Sequence, residues 1–171
     1  MAFVIADLTI ETAHTSGVLD NAEATTNWGI SGSGGSSIAL DSEIYYQGSN
    51  SINSQISSGK FGWIYYNHGS ALNFTTTYSG ECIFIWFQIA TPGAADDIAG
   101  SNRGNGPGVS IRMGSSTSVY REWVIGGSDY FANGYTGGWQ CAVIDPTSSG
   151  TSDTGAYSAA SVQYIGVHYS G

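Results

Sequence analysis

Imidazole is the side chain that most often moves a proton or binds a metal near neutral pH, so the three histidines come first. His14, His68 and His168 stand 54 and 100 residues apart, with no H-E-x-x-H or other short metal spacing. The sequence reads each as structural or solvated. A serine nucleophile needs a base and an orienting group beside it, and no G-x-S-x-G elbow occurs among the many serines. Glycoside hydrolysis takes two carboxyls at a defined separation. Glu81 opens one apolar run and Glu122 lies in another, but neither carries an E-x-D-x-x-E pattern. Asp96–Asp97 is an adjacent acidic pair that reads as a solvated turn. The stretch Asp145–Asp153 (DPTSSGTSD) is rich in oxygen ligands without matching the D-x-[DN]-x-[DN]-G loop. Calcium is the one cofactor left open there; otherwise none is expected. No reactive cluster is prearranged, so the expectation is a protein that is not an enzyme.

Cys82 and Cys141 lie in apolar runs 59 residues apart, and no set of close ligands makes a zinc site. They read as buried free thiols, with a disulfide between the two strands as the alternative. The aromatic residues are the strongest surface candidates. Trp63 and Tyr66 fall in one strand, and Tyr135 in a Gly-rich aromatic group. Ring faces stack on sugars through apolar and C–H contacts, which makes these three candidate carbohydrate contacts. Packing in the core is the competing role.

The elements that would position these residues are strands. No segment keeps a helical period over ten residues, although 91–100 could form one turn. Val109, Ile111 and Met113 alternate with Ser110 and Arg112. In VYREWVI, Val119, Arg121, Trp123 and Ile125 share one face, and Tyr120, Glu122 and Val124 share the other. The Gly114–Ser118 link makes these two runs a hairpin. Glu81–Ala90 (ECIFIWFQIA) is apolar on both faces, which predicts a central strand covered by a second sheet on one side and by loops on the other. Further strands are expected at Ile44–Tyr46, Ser51–Ile56, Phe61–Tyr66, Trp139–Ile144 and Val162–His168. With no helical crossover to join parallel strands, two antiparallel sheets packed face to face remain. Residues 1–18 read as an N-terminal arm or edge strand. Phe3, Ile5, Leu8 and Ile10 would dock into a partner by strand addition, and the main domain would span 19–171.

Totals narrow the partners. The 171 residues fit one domain. Only 10% are charged, against a typical ~25%. Four cations against thirteen acids leave a net charge of −9, which repels a phosphate backbone or an anionic membrane surface. Nucleic acid and membrane are therefore not expected partners. Residues 1–10 lack the basic start of a signal peptide, so a chain made and used without Sec export is expected.

Several stretches carry a family likeness. The run CIFIWFQIA, followed by GVSIRMG, VYREWVIGG and WQCAVI, resembles the strand succession of concanavalin-A-like (LamG-type) jelly rolls. Leu19–Glu23 with Trp28, and Gln47–Ile52, fit the opening of such a domain. The closing stretch from Val143 to Gly171 resembles the end of a jelly-roll module in structural proteins of tailed bacteriophages, where the chain often continues into further β-structure. The resemblance covers about residues 19–171. It implies an all-β, antiparallel two-sheet jelly-roll sandwich. The function it implies is that of a virion structural protein, exposed as a capsid decoration or fibre-anchoring module. Other virion proteins would be its partners, and it would form a homo-oligomer. The alternative is a carbohydrate-binding module or a glycan-binding tail spike or fibre domain, with host-surface glycan as partner.

Overall fold

The computed structural model describes residues 2–11, 17–33, 37–55, 60–89, 109–126 and 138–170, with the backbone path alone for 2–11, 89, 126 and 170. Among the described residues there is no helix. The strands are β1 (Ala2–Glu11), β2 (Gly17–Asp20), β3 (Trp28–Gly32), β4 (Ala39–Asp41), β5 (Ser51–Gln55), β6 (Phe61–Leu72), β7 (Cys82–Ile89), β8 (Val109–Ser116), β9 (Val119–Gly126), β10 (Gln140–Ile144), β11 (Ser152–Thr154) and β12 (Val162–Ser170). They form two six-stranded sheets. The first runs β10-β7-β1-β5-β4, with β2 also on β1; the second runs β11-β9-β8-β12-β6-β3. Every registered pair is antiparallel. The chain is all-β, as its period-2 apolar pattern requires.

One buried cluster draws side chains from both sheets. The first sheet gives Ile52, Ile83, Ile85, Phe87, Ala142 and Ile144. The second gives Ile64, Tyr66, Ile111, Met113, Trp123, Ile165, Val167 and Tyr169. Full burial of each large side chain is worth roughly 1.5–3 kcal/mol. A one-residue slip of any strand would turn its share toward water, so this face fixes the register. Two indoles are also anchored by hydrogen bonds. Trp28 Nε1 donates to Asp20 Oδ1 at 2.9 Å, and Trp123 Nε1 donates to Ser148 Oγ at 3.0 Å.

Three expectations change. Residues 2–11 form an interior strand, not an arm or edge. One side of β1 pairs with β7, and the other pairs first with β5 and then with β2. The backbone groups of the Phe3, Ile5, Leu8 and Ile10 segment are thus used inside this chain, and strand addition to a partner would have to break that ladder. The segment Ile44–Tyr46 is a bend, because the Asp41 carboxylate accepts the Glu43 and Ile44 N–H groups and turns the chain. The Ser/Thr-rich excursion after Asp145 contains β11, which pairs with β9.

Candidate functional site

The alternation that builds the core also sorts the opposite face of the second sheet. Cross-strand register sets Val124, Ser110, His168, Trp63 and Ser31 in one row across β9, β8, β12, β6 and β3. The next row is Glu122, Arg112, Gly166, Tyr65 and Gly29, and the third is Tyr120, Gly114, Tyr164 and Asn67. Four of these rings form a continuous ladder. Tyr120 lies 5.3 Å from Trp63, Trp63 lies 5.4 Å from Tyr65, and Tyr65 lies 5.3 Å from Tyr164, centroid to centroid. The Arg112 guanidinium sits 4.6 Å from the Tyr120 ring centroid. A Cβ on Gly29 would come within 2.6–2.9 Å of the Tyr65 hydroxyl and ring, so a larger residue there would displace that ring. Tyr65, Tyr120 and Tyr164 are half-buried. Burial, with Tyr164 beside it, pushes the Tyr65 hydroxyl above its ordinary value, so it remains a hydrogen-bond donor.

A polar group is set against one end of this ladder. The Ser110 hydroxyl donates to Glu122 Oε1, which also accepts from Arg112 Nε at 2.9 Å. Ser152 Oγ donates to Glu122 Oε2 at 3.3 Å. His168 Nδ1 lies 3.3 Å from Ser110 Oγ and 3.5 Å from Glu122 Oε1. Ser110, Glu122 and His168 are buried. Burial and then the Arg112 charge push His168 down to about 3, so the ring is neutral. Burial raises the Glu122 carboxyl, but the Ser110 hydroxyl and Arg112 outweigh it, and the group stays ionised.

Serine, histidine and glutamate in one group invite comparison with a nucleophilic triad. There, serine gives its proton to one imidazole nitrogen while the acid holds the other. Here the serine proton points at the glutamate, and serine and glutamate share the same His168 nitrogen. The group also holds a single carboxylate, where glycoside hydrolysis uses two. Its hydrogen bonds and ion pair join β9, β8 and β12 on the same face as the ladder. Among the described residues, Trp63 Nε1 is buried without a hydrogen-bond partner.

The candidate residues from the sequence therefore part company. Trp63 belongs to the ladder, though only 1% of its surface is exposed, so its neighbours offer the accessible ring faces. Tyr66 is on the opposite side of β6, buried in the core against Trp28 at 5.5 Å. Strand alternation forces this, since three residues apart means opposite faces. Tyr135 and His14 lie outside the described residues. His68 lies within β6, its Nδ1 2.9 Å from the Ser70 carbonyl oxygen.

The excursion considered for calcium uses its acids otherwise. Asp153 forms a two-pronged pair with Arg121, at 2.6 and 2.7 Å. Asp145 Oδ1 accepts from the Thr147 N–H and hydroxyl, both at 2.7 Å. Among the described residues, no three His, Cys, Asp or Glu side chains are grouped to hold a metal ion. Cys82 and Cys141 are half-buried and are not joined in a disulfide. Cys141 pairs with Trp86, four positions from Cys82 on the same strand, which separates the two by about 13 Å at strand rise, far beyond disulfide reach. A cavity of about 280 Å³ lies beside β10, lined by Phe87, Ile125, Gln140, Cys141, Ala142 and Val143. Among the described residues no helix is long and apolar enough to cross a membrane.

No family model matches the chain, and neither a curated protein nor a solved structure matches it.

Proposed function

We propose that this chain is a non-enzymatic binding module that holds a glycan against the outer face of its second sheet. One observation carries the reading: four aromatic rings in unbroken contact, Tyr120–Trp63–Tyr65–Tyr164, stand on β9, β6 and β12 beside a locked polar group on the same face. The half-buried faces of Tyr120, Tyr65 and Tyr164 suit sugar rings, whose C–H faces are apolar and whose edges carry hydroxyls. Asn67 Nδ2 donates to the Tyr164 hydroxyl at 3.3 Å, and Gln163 Nε2 donates to Asn67 Oδ1 at 3.1 Å, which holds the Tyr164 end of the ladder in place. The Glu122–Arg112–Ser110–His168 group keeps the ladder strands in place, so little freedom is lost on binding.

The two sheets and their shared cluster support a jelly-roll sandwich of the concanavalin-A-like kind as the finer architecture. The resemblance of residues 19–171 to tailed-phage structural proteins supports a virion as the setting, with the module exposed as a capsid decoration or a fibre anchor. There, glycan binding would serve attachment to a host surface, and the other partners would be virion proteins or further copies of the chain.

The test is an array of neutral and acidic polysaccharides. Binding is expected, and Tyr65→Ala and Tyr120→Ala should each weaken it while the fold is kept. Silence across the array, or variants that bind like the parent chain, would remove the proposal. For the setting, capsid and tail genes are expected beside the coding sequence; a metabolic operon there would contradict it.

A further inference from the structure

On the first sheet, the face turned away from the shared core carries a second aromatic group. The segment between β4 and β5 brings Tyr46 onto Trp86 of β7, with centroids 4.1 Å apart and planes 15° from parallel. Trp139, just before β10, meets the Tyr46 ring edge-on at 5.9 Å and 66°. Tyr46 is still 40% exposed.

The segment that presents Tyr46 is fastened at both ends. Asp41 Oδ1 accepts the N–H groups of Glu43 and Ile44 at 2.9 and 3.0 Å, and Asp41 Oδ2 accepts from Asn53 Nδ2 at 3.0 Å. At the far end, Glu23 Oε1 accepts the N–H groups of Ser49 and Asn50 at 2.7 and 3.2 Å, and Oε2 accepts from Asn50 Nδ2 at 3.0 Å. Gly48 makes this possible. Its φ of +69° disfavours other residues, and a Cβ there would lie 1.8 Å from Glu23 Oε1. An exposed ring on a segment held so firmly is preorganised for contact.

We infer that Tyr46, backed by Trp86 and flanked by Trp139, is a second ligand site that takes the apolar face of a neutral sugar ring. The ligand class rests on the glycan reading above; the residues are separate from the ladder. Charge argues for a neutral ligand. Residues 37–55, 82–88 and 138–145 contain no Lys or Arg, while Asp41, Glu43 and Asp145 are acidic, so an anionic sugar is repelled. Geometry argues against a quaternary ammonium. Such a cation sits in a gap walled by rings, and here Tyr46 and Trp86 are already in face contact. What is left open is a flat ring face with a hydroxyl at its rim, which matches a pyranose.

The experiment is calorimetric titration of the full chain with dextran, laminarin and galactomannan, comparing Tyr46→Ala, Tyr46→Phe, Tyr65→Ala and the Tyr46/Tyr65 double alanine. Near-UV circular dichroism checks that each variant is folded. Loss of one stacking partner should weaken binding about three- to tenfold in Tyr46→Ala. Tyr46→Phe should stay within about twofold of the parent chain, because the ring face is kept. The double variant should bind worse than either single variant. If Tyr65→Ala abolishes binding and Tyr46→Ala changes nothing, this second site is refuted and the ladder stands. If Tyr46→Ala weakens binding and Tyr65→Ala does not, the ladder fails and this site stands. If Tyr46→Ala leaves binding intact but dissolves a dimer in sedimentation, the face is a self-contact and the inference is overturned.

Discussion

Glu122 is the residue whose removal should cost most on the outer face of the second sheet. The Glu122 and Arg112 side chains are only 9% and 14% exposed, joined at 2.9 Å. Substitution Glu122→Leu takes the acceptor from Arg112 Nε, from Ser110 and from Ser152 at once. Removing one partner of a buried ion pair typically costs about 3–5 kcal/mol, because the other charge is left uncompensated. For a domain of this size, that is a fall in Tm of roughly 6–20 °C, at about 2–4 °C per kcal/mol. Replacing both partners, Arg112→Met with Glu122→Leu, removes the stranded charge as well. Such double replacements are often near neutral, so the double variant should recover most of the loss. Urea unfolding followed by tryptophan fluorescence gives all four corners of the cycle. A Glu122→Leu cost under about 1 kcal/mol, or a double variant as unstable as the summed singles, would refute the coupling argued from this geometry.

The same group predicts a pH dependence. His168 is held neutral far below its ordinary 6.5, so the unfolded chain binds the extra proton. Its contribution should be complete above about pH 6.5 and fall by ~1.4 kcal/mol per pH unit as pH drops toward the folded value. Glu122, lowered in the folded chain from 4.5, adds loss of the same sign below that value. Urea midpoints between pH 7.5 and 5 should decline, and His168→Gln should flatten that decline; an unchanged slope in the variant would count against it. Trp28→Phe breaks a bond from an indole to the Asp20 carboxylate, whereas Trp63→Phe removes a donor that has no partner among the described residues. The first should therefore be worse by about 1.5–3 kcal/mol at equal loss of volume, as read by denaturant midpoints. Thiol titration of unreduced, unfolded chain should count two free cysteines, given that Cys82 and Cys141 are four strand positions out of register; a count of zero would contradict that register.

The period-2 runs carried much of this architecture. Cys82–Ile89 is central, with the core on one side and Tyr46 from a bend on the other, which is the double covering its apolar faces implied. The hairpin of β8 and β9 likewise followed from alternation and its glycine-bearing turn. Strand addition by residues 2–11 failed as an expectation because a strand's neighbours are set by long-range pairing that a local pattern does not contain. Trp63 and Tyr66 share β6, but their odd spacing puts them on opposite faces. The Arg112–Glu122 pair was within reach, since both stand on the polar face of a hairpin. Its completion by His168 depends on β12 lying beside β8, which joins positions 58 residues apart. The bend at Ile44–Tyr46 has apolar and aromatic residues of strand type, overridden by the Asp41 carboxylate at one end and the Glu23 carboxylate at the other.

The five tryptophans place a reporter at every position that matters: Trp63 in the ladder, Trp86 and Trp139 around Tyr46, and Trp28 and Trp123 in the core. The indole N–H signals of ¹⁵N-labelled chain, recorded as neutral polysaccharide is added, therefore test surface binding directly. Trp63, Trp86 and Trp139 should move in a saturable way while Trp28 and Trp123 stay fixed. Five unmoved signals at saturating polysaccharide, or movement confined to Trp28 and Trp123, would contradict a protein that works through its outer ring faces.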